Sequence, residues 1–503
     1  MSAGLVAGGA PPELPGDENQ ARTATSAPMV ARKSILVGML TSGIVLANAT
    51  RASADSAPLP ESIQTIVCAG KGIDPTGVLD STDALRAKIA LATVGKTLFL
   101  PAGQYLISDR LIMAKPGVNF EGAGGGISQL RPMFRNAVGA YLQLNASDIS
   151  VRGIGIVAAA SVSNGTTGFV IGGIAIGDTT GPLRSVRRVH VQDCYIADVS
   201  GHGIICQQEA TDCVISGNVI ERVGATAEGT QLGDGDGHGI SVVGTGHVVS
   251  GNIVRDGLMR GIEVFGTDRL PTNDCTITGN SISGNAQDAI TVKDVTRSTI
   301  TGNTCSKNGR FGIYLGMASL IGINDVTIAG NSVVLNANDG IHIEGNASRI
   351  AVTGNTIEKN SGCGINVITA RGVNPSNITI MGCTIYRNHQ YGVSVNSGTQ
   401  ISITGNTVVE SGHGQARNQF SGIWVIGVSA HVSITGNTCF DGQEVKTQQY
   451  GIAVSGFGPA NYVVVIGNEC SGNGDLKEDI SVAPTTHNKL AWCGGRYTGR
   501  GAA

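Results

Sequence analysis

The sequence predicts an all-β protein, a right-handed parallel β-helix of about 10–13 coils with three strands per coil and an N-terminal capping helix. Three observations carry that expectation. The composition is rich in glycine and poor in charge, one phrase recurs along more than half of the chain, and a short helical pattern precedes it. Of 503 residues, 74 are Gly, while charged residues make up 14% and aromatic residues 4%. Glycine at about twice its usual share, with so little charge, excludes coiled coils and long exposed helices. The many Ile and Val residues can bury a core, which excludes disorder.

From about residue 190 the phrase reads: an alternating apolar strand, Gly-Asn, a second short strand, a polar link, then Gly-Ile-x-Val. Gly-Asn pairs stand at 217–218, 251–252, 279–280, 302–303, 330–331, 354–355, 405–406, 436–437 and 467–468, and Gly382-Cys383 fills the missing place. One coil cannot bury its apolar face, whereas stacked coils build a continuous core and pair every strand edge. Three inward columns follow. The first holds Ile220, Val254, Ile282, Cys305, Val333, Ile357, Ile385, Val408, Cys439 and Cys470; the second holds Ile240, Ile262, Ile290, Ile313, Ile341 and Ile365; the third holds Ile215, Ile277, Ile300, Ile328, Val352 and Ile403. Cysteines that alternate with Ile and Val read as small buried hydrophobes. The 11 cysteines include no C-x-x-C pair, so neither a disulfide scaffold nor a zinc site is indicated. The repeated Asn suits a left-handed turn and a side-chain ladder from coil to coil.

The remaining segments divide the chain into an N-terminal extension (1–54), a cap with the first coils (55–130), the repeats (131–490) and a tail (491–503). Arg32-Lys33, an apolar run from Ile35 to Ala47 and Ala52-Ser53-Ala54 form an export signal, with translation expected to begin at Met29. This places the protein in the periplasm, at the cell surface or outside the cell. No later apolar run reaches bilayer-spanning length. A net charge of -3 gives no footprint for nucleic acid.

Gly72-Ile73-Asp74-Pro75-Thr76-Gly77, then Asp80-Ser81-Thr82-Asp83-Ala84-Leu85 and Leu98-Phe99-Leu100-Pro101-Ala102-Gly103, resemble the cap module of β-helix polysaccharide enzymes and phage tailspikes. With repeats such as Ile277-Thr278-Gly279-Asn280 and Asp339-Gly340-Ile341, the chain resembles the pectate-lyase-like superfamily, including its periplasmic carbohydrate-binding and sugar-hydrolysis repeats. The resemblance implies a helix from Thr82 to Ala92 that shields the first coil, N-capped by Ser81 or Thr82. It also implies a polysaccharide or oligosaccharide partner.

Alternation points the x of Gly-Ile-x-Val, and the residue two later, outward on one sheet. That face gathers the chemistry in a chain otherwise poor in it. Arg260, Glu263, Asp288, Lys293, Tyr314, Asp339 and His342 are the expected catalytic set. His202, His238, Phe265, Glu344, Asn366, Tyr391 and Trp424 are the expected substrate contacts. In β-elimination from a uronate, Arg260 or Lys293 would neutralise the carboxylate, while His342, His238 or Tyr314 moves the proton. In hydrolysis, Asp288 and Asp339 would flank the bond. These positions are expected to be solvent-exposed. Against the C5-epimerase signature Tyr-Gly-Phe-Asp-Pro-His, this chain has His202, Ile205 and Gln207 at the Tyr, Asp and His places. Of the polygalacturonase motifs it keeps only a Gly-His-Gly, at Gly237-His238-Gly239 and Gly201-His202-Gly203. The acidic tip with Asp234 and Asp236 is the expected place for a Ca²⁺. A lyase is the first expectation, followed by a hydrolase or epimerase, with a non-catalytic carbohydrate-binding protein as the rival. A homotrimer along the Thr-rich face is compatible with the sequence.

Overall fold

A computed structural model of the chain describes residues 65–133, 139–158, 171–177, 185–207, 209–224, 237–266, 272–316, 321–414, 419–454, 460–475, 479–483, 487–491 and 493–495. The export segment, Met29, Asp234 and Asp236 lie outside them. Every named strand pairing is parallel, and each strand pairs with its counterparts in the coils before and after it. Three sheets result. The first carries the strands before Gly-Asn; the second, with 15 strands, those after it; the third, with 14 strands, carries Gly-Ile-x-Val. Together they form a three-sided parallel β-helix.

The register shows why the repeats stack this way. Ile262, Ile290, Ile313, Ile341 and Ile365 pair in succession on the third sheet, and each is fully buried. The second sheet aligns Ile282, Cys305, Val333, Ile357 and Ile385 in the same way. Each such side chain removed from water contributes roughly 1.5–3 kcal/mol.

Most coils carry two glycines, selected for different reasons. Gly302 of the Gly-Asn turn has φ +62 with open space where a Cβ would stand, so backbone conformation alone selects it. Gly312 of the Gly-Ile-x-Val strand lacks that conformation, but a Cβ there would sit 2.2 Å from Val333 Cγ1. The left-handed residue of each turn is therefore the Gly, and the Asn beside it serves as the ladder. Asn303 Nδ2 donates to Asn331 Oδ1 (3.0 Å) and to the Ile277 carbonyl (3.0 Å), while its Oδ1 accepts from Asn280 N (3.0 Å) and Nδ2 (2.9 Å). A second ladder at Asn285, Asn308, Asn336, Asn360 and Asn388, which the sequence reading passes over, does the same at the next corner.

The capping helix spans Thr82–Leu91, with Ala92 as its extended C-cap. It packs against Leu111–Met113, the first strand of the third sheet, and buries Leu85. Ser81 occupies the N-cap position, but its Oγ makes no cap bond and accepts instead from Asp74 N (2.9 Å). No helix among the described residues is long and apolar enough to cross a membrane.

Asn303→Ala removes four side-chain hydrogen bonds from the dry corner, so it is expected to destabilise the chain by about 2–3 kcal/mol in chemical denaturation. Thr301→Ala, on the outer face of the same coil, should stay within about 0.5 kcal/mol. Equal effects would contradict the ladder's role.

Candidate functional site

The register carries the x residues up the third sheet in one line: Ser241, Glu263, Thr291, Tyr314, His342, Asn366, Ser394 and Trp424. A parallel line at the preceding corner, followed through backbone hydrogen bonds of the adjoining glycines, holds His202, His238, Arg260, Asp288, Phe311, Asp339, Cys363 and Tyr391. The two lines interlock. At about 4.8 Å per coil they span roughly 34 Å from the strand after His238 to that of Trp424.

The first part of the groove is a charged network. His238 is fully buried, and its Nε2 donates to Glu263 Oε2 (2.9 Å) while its Nδ1 accepts from Arg260 N (3.4 Å). Glu263 Oε1 also meets Arg260 Nη1 at 3.2 Å and Lys293 Nζ at 3.7 Å. Burial alone would raise the Glu263 carboxyl, but His238, Arg260 and Lys293 hold it at about 2. Asp288, with no exposed surface, takes both arms of the Arg310 guanidinium at 2.7 Å, the Thr291 hydroxyl at 2.7 Å and Phe311 N at 3.2 Å. His202 stands against His238 with ring centroids 5.1 Å apart; burial, with His238 adding to it, pushes its imidazole down to about 3.

The middle of the groove is a proton-bearing chain. Asp339 Oδ2 bonds His342 Nδ1 (2.7 Å) and accepts from Asn366 Nδ2 (3.0 Å), and its Oδ1 takes Cys363 N (2.7 Å). His342 Nε2 reaches Glu344 Oε2 (3.3 Å), and Tyr314 Oη donates to Glu344 Oε1. Burial disfavours the imidazolium of His342, yet the two carboxylates outweigh it and raise the imidazole. The same bonds hold Glu344 low against its burial, while burial and Glu344 together push the Tyr314 phenol up. Phe311 stacks on His342 at 4.3 Å, and Arg310 lies over the Phe311 and Tyr314 rings at 4.9 and 5.1 Å. Gly316, which pairs with Lys293, makes room for this arrangement: a Cβ there would sit 2.1 Å from Tyr314 Oη. The Tyr314 ring lies across the gap.

The far part is aromatic. Tyr391 stacks on Trp424 at 4.2 Å and meets Phe420 edge-on at 5.1 Å. Phe265, half-buried, stands at the other end beside Lys293.

All fourteen described candidates thus share one face, but they are not the solvated surface the sequence suggests. Arg260, Glu263, Asp288, Asp339, His202, His238 and His342 are buried because neighbouring coils sit close enough for each side chain to cover the next. The outermost charged groups are Arg310, Glu344 and Lys293, whose side chains are 39%, 24% and 18% exposed.

Residues 222–375 and 372–493, together more than half of the chain, match the family model of the right handed beta helix region. The chain belongs to this family. No curated protein matches it in sequence. Among solved structures it is similar to the catalytic unit of a thermostable GH87 α-1,3-glucanase from Streptomyces thermodiastaticus. The identity is 17%, over 87% of this chain and 71% of that one, with a TM-score of 0.51. It is also similar to the pre-mature gene product 12 of bacteriophage phi29, at 12% identity over 85% of this chain and 56% of that one, with a TM-score of 0.60. At such identities the likeness is one of fold. In this β-helix the sequence reading overlooks Arg310 and Phe420. Arg310 leaves one signal, as the single charge in a corner column of Met259, Gln287, Asn338, Gly362 and Gln390.

The raised imidazole of His342 has a defined sign. Its stabilising contribution is complete below the ordinary histidine value of 6.5 and is lost as pH climbs through the higher folded value. The depressed His202 acts oppositely, losing stability as pH falls below 6.5. His342→Gln is therefore expected to flatten the fall in melting temperature on the alkaline side of 6.5. An unchanged slope in that variant would refute the two-carboxylate clamp.

Proposed function

We propose that this chain is an exported carbohydrate-active β-helix protein that holds an acidic polysaccharide along the third-sheet groove and cleaves it by β-elimination. The observation that carries the reading is the trio at the solvent side of the groove. Glu344 is kept ionised, Tyr314 is kept protonated and donates to it, and Lys293 presents an ammonium two strands away. A uronate carboxylate set against Lys293 would be neutralised, which acidifies the C5 proton. Glu344 accepts that proton. The C4–O4 bond breaks as a C4=C5 double bond forms, and Tyr314 protonates the leaving oxygen. Glu344 then returns a proton to the phenolate across their existing hydrogen bond, restoring the site.

The other expected catalytic residues take supporting roles in this reading. Arg260, Glu263 and Asp288 lie beneath Lys293 and Arg310 and position them, and Asp339 orients His342. Tyr391 and Trp424 offer apolar faces to sugar rings further along. The α-1,3-glucanase that shares the fold lends support to a carbohydrate substrate. The Arg32-Lys33 signal supports export to where such polymers are met. A second reading, a binding protein without catalysis, is favoured by the charge balance: Arg260, Lys293 and Arg310, with His342 biased toward its protonated form by Asp339 and Glu344, offset Glu263, Asp288, Asp339 and Glu344.

The full chain incubated with uronate and neutral polysaccharides separates these readings. A rise in unsaturated-uronate absorbance together with reducing ends is the expected result. Reducing ends alone would indicate hydrolysis, and neither signal, with retention on a polysaccharide gel, would indicate binding only. Tyr314→Phe and Glu344→Gln should each lower the cleavage rate by about 10²–10⁴-fold with gel retention intact. Gly316→Ala, which displaces the Tyr314 ring, should lower kcat while barely changing retention. Loss of retention alone in these variants would remove them from the chemistry.

A further inference from the structure

Away from the groove, inside the coil stack, three soft donors converge. Cys206 ends the third-sheet strand Ile204–Cys206, and Cys213 immediately precedes the first-sheet strand Val214–Ser216 that opens the next coil. His247 stands one coil further on, above Cys213, with Val248 N donating to the Cys213 carbonyl (2.9 Å). All three are buried, and their ligand atoms lie within 4.8 Å of one another.

The position is unusual for an imidazole. The column runs Val189, Cys213, His247, Cys275 and Ser298, and beyond them it holds Val326, Ile350, Ile378, Ile401, Val432 and Val463. A polar ring in the dry interior of the stack costs stability unless its nitrogens are used. His247 Nε2 lies 3.2 Å from the Val243 carbonyl, so it carries the proton, and Nδ1 is left as the acceptor with a long contact of 3.3 Å from Cys213 N. A ring nitrogen tied to a backbone carbonyl is the arrangement that orients a metal-ligating histidine, and here the ring lies within reach of two thiols. Gly244 permits it, since a Cβ there would sit 2.8 Å from His247 Nε2.

We propose that Cys206, Cys213 and His247 form a buried site for a divalent thiophilic cation, with Zn²⁺ as the best fit. Tetrahedral Zn²⁺, with bonds of about 2.3 Å to sulfur and about 2.0 Å to nitrogen, sets its donors about 3.5–3.8 Å apart, so the cluster needs to contract only slightly. Binding displaces two thiol protons and gives two thiolates, a neutral imidazole and one dication. The sum is zero charge, as an apolar interior demands, whereas a monovalent ion would leave a net negative charge. The cysteines are seven positions apart and the histidine is 34 further on, so no compact sequence motif announces the site. Because it is enclosed by the coils, the ion is expected to enter during folding and to resist chelators afterwards.

The full chain, produced with Zn²⁺ present and then exchanged into chelator, is expected to release about one zinc per chain on acid denaturation. Refolding with Co²⁺ instead should give thiolate-to-cobalt charge-transfer absorption. Cys206→Val and Cys213→Val place at these positions the residues found in the adjacent coil of each column, Val242 and Val189. Both should keep the β-rich circular dichroism and lose at least nine tenths of the metal. Zinc-free chain with all 11 thiols titratable in denaturant would overturn the proposal. So would zinc-free chain lacking two thiols, the mark of a Cys206–Cys213 disulfide, or metal retained in both variants. None of these outcomes depends on the polysaccharide reading.

Discussion

The parallel backbone ladder that sets each coil about 4.8 Å from the next governs everything else in this molecule. Because the pairing is parallel and in register, equivalent residues of successive coils must stand in line, and any side chain is packed chiefly against its own counterparts. A column of Ile or Val then builds a core without long-range design. A column of Asn builds a chain of amide hydrogen bonds, each side chain satisfying the donor and acceptor of the coil before. The same rule makes a column of ionisable groups hazardous, since like charges 4.8 Å apart repel strongly.

The third sheet resolves that hazard by alternation. Glu263 is met by Arg260 and Lys293, Asp288 by Arg310, and His342 by Asp339 and Glu344. Each partner comes from the same or an adjacent coil, so the charges neutralise one another along and across the columns. This is why burial does not return the carboxyls to their neutral forms: Glu263 stays ionised under heavy desolvation because three cationic or donor groups surround it. Such a network keeps a carboxylate ionised at neutral pH, so it holds no proton to give a leaving group and is present in the form that can accept one, at some loss of basicity.

The fold was legible in the sequence because the repeat writes the register directly. Once Gly-Asn is aligned, Ile262, Ile290 and Ile313 fall inside and Glu263, Thr291 and Tyr314 fall outside, as the pairing shows. What alternation does not encode is depth. It tells which face His342 points to, but not that Phe311 covers it from the previous coil or that Asp339 and Glu344 hold both its nitrogens. The roles of Gly and Asn in the turn were likewise blurred, because both residue types tolerate left-handed backbone and only the φ of Gly302 separates them. Arg310 went unseen because its importance lies in Asp288, a partner 22 positions earlier.

Gly316 shows how a groove is shaped on so regular a surface. A β-helix face is flat by construction, since every coil offers side chains at the same height, and flatness binds polymers poorly. Relief comes only from changes of side-chain size down a column. Between Lys293 and the strand bearing Glu344, the column loses its side chain altogether, and the space is taken by a tyrosine leaning in from two residues away. The hydroxyl thereby crosses from its own column to the carboxylate of the next strand, a reach that an in-register neighbour could not achieve by pointing straight out. One missing side chain thus converts a ladder of parallel, independent columns into a site where groups from different columns meet. Such a meeting is what any chemistry on this surface requires.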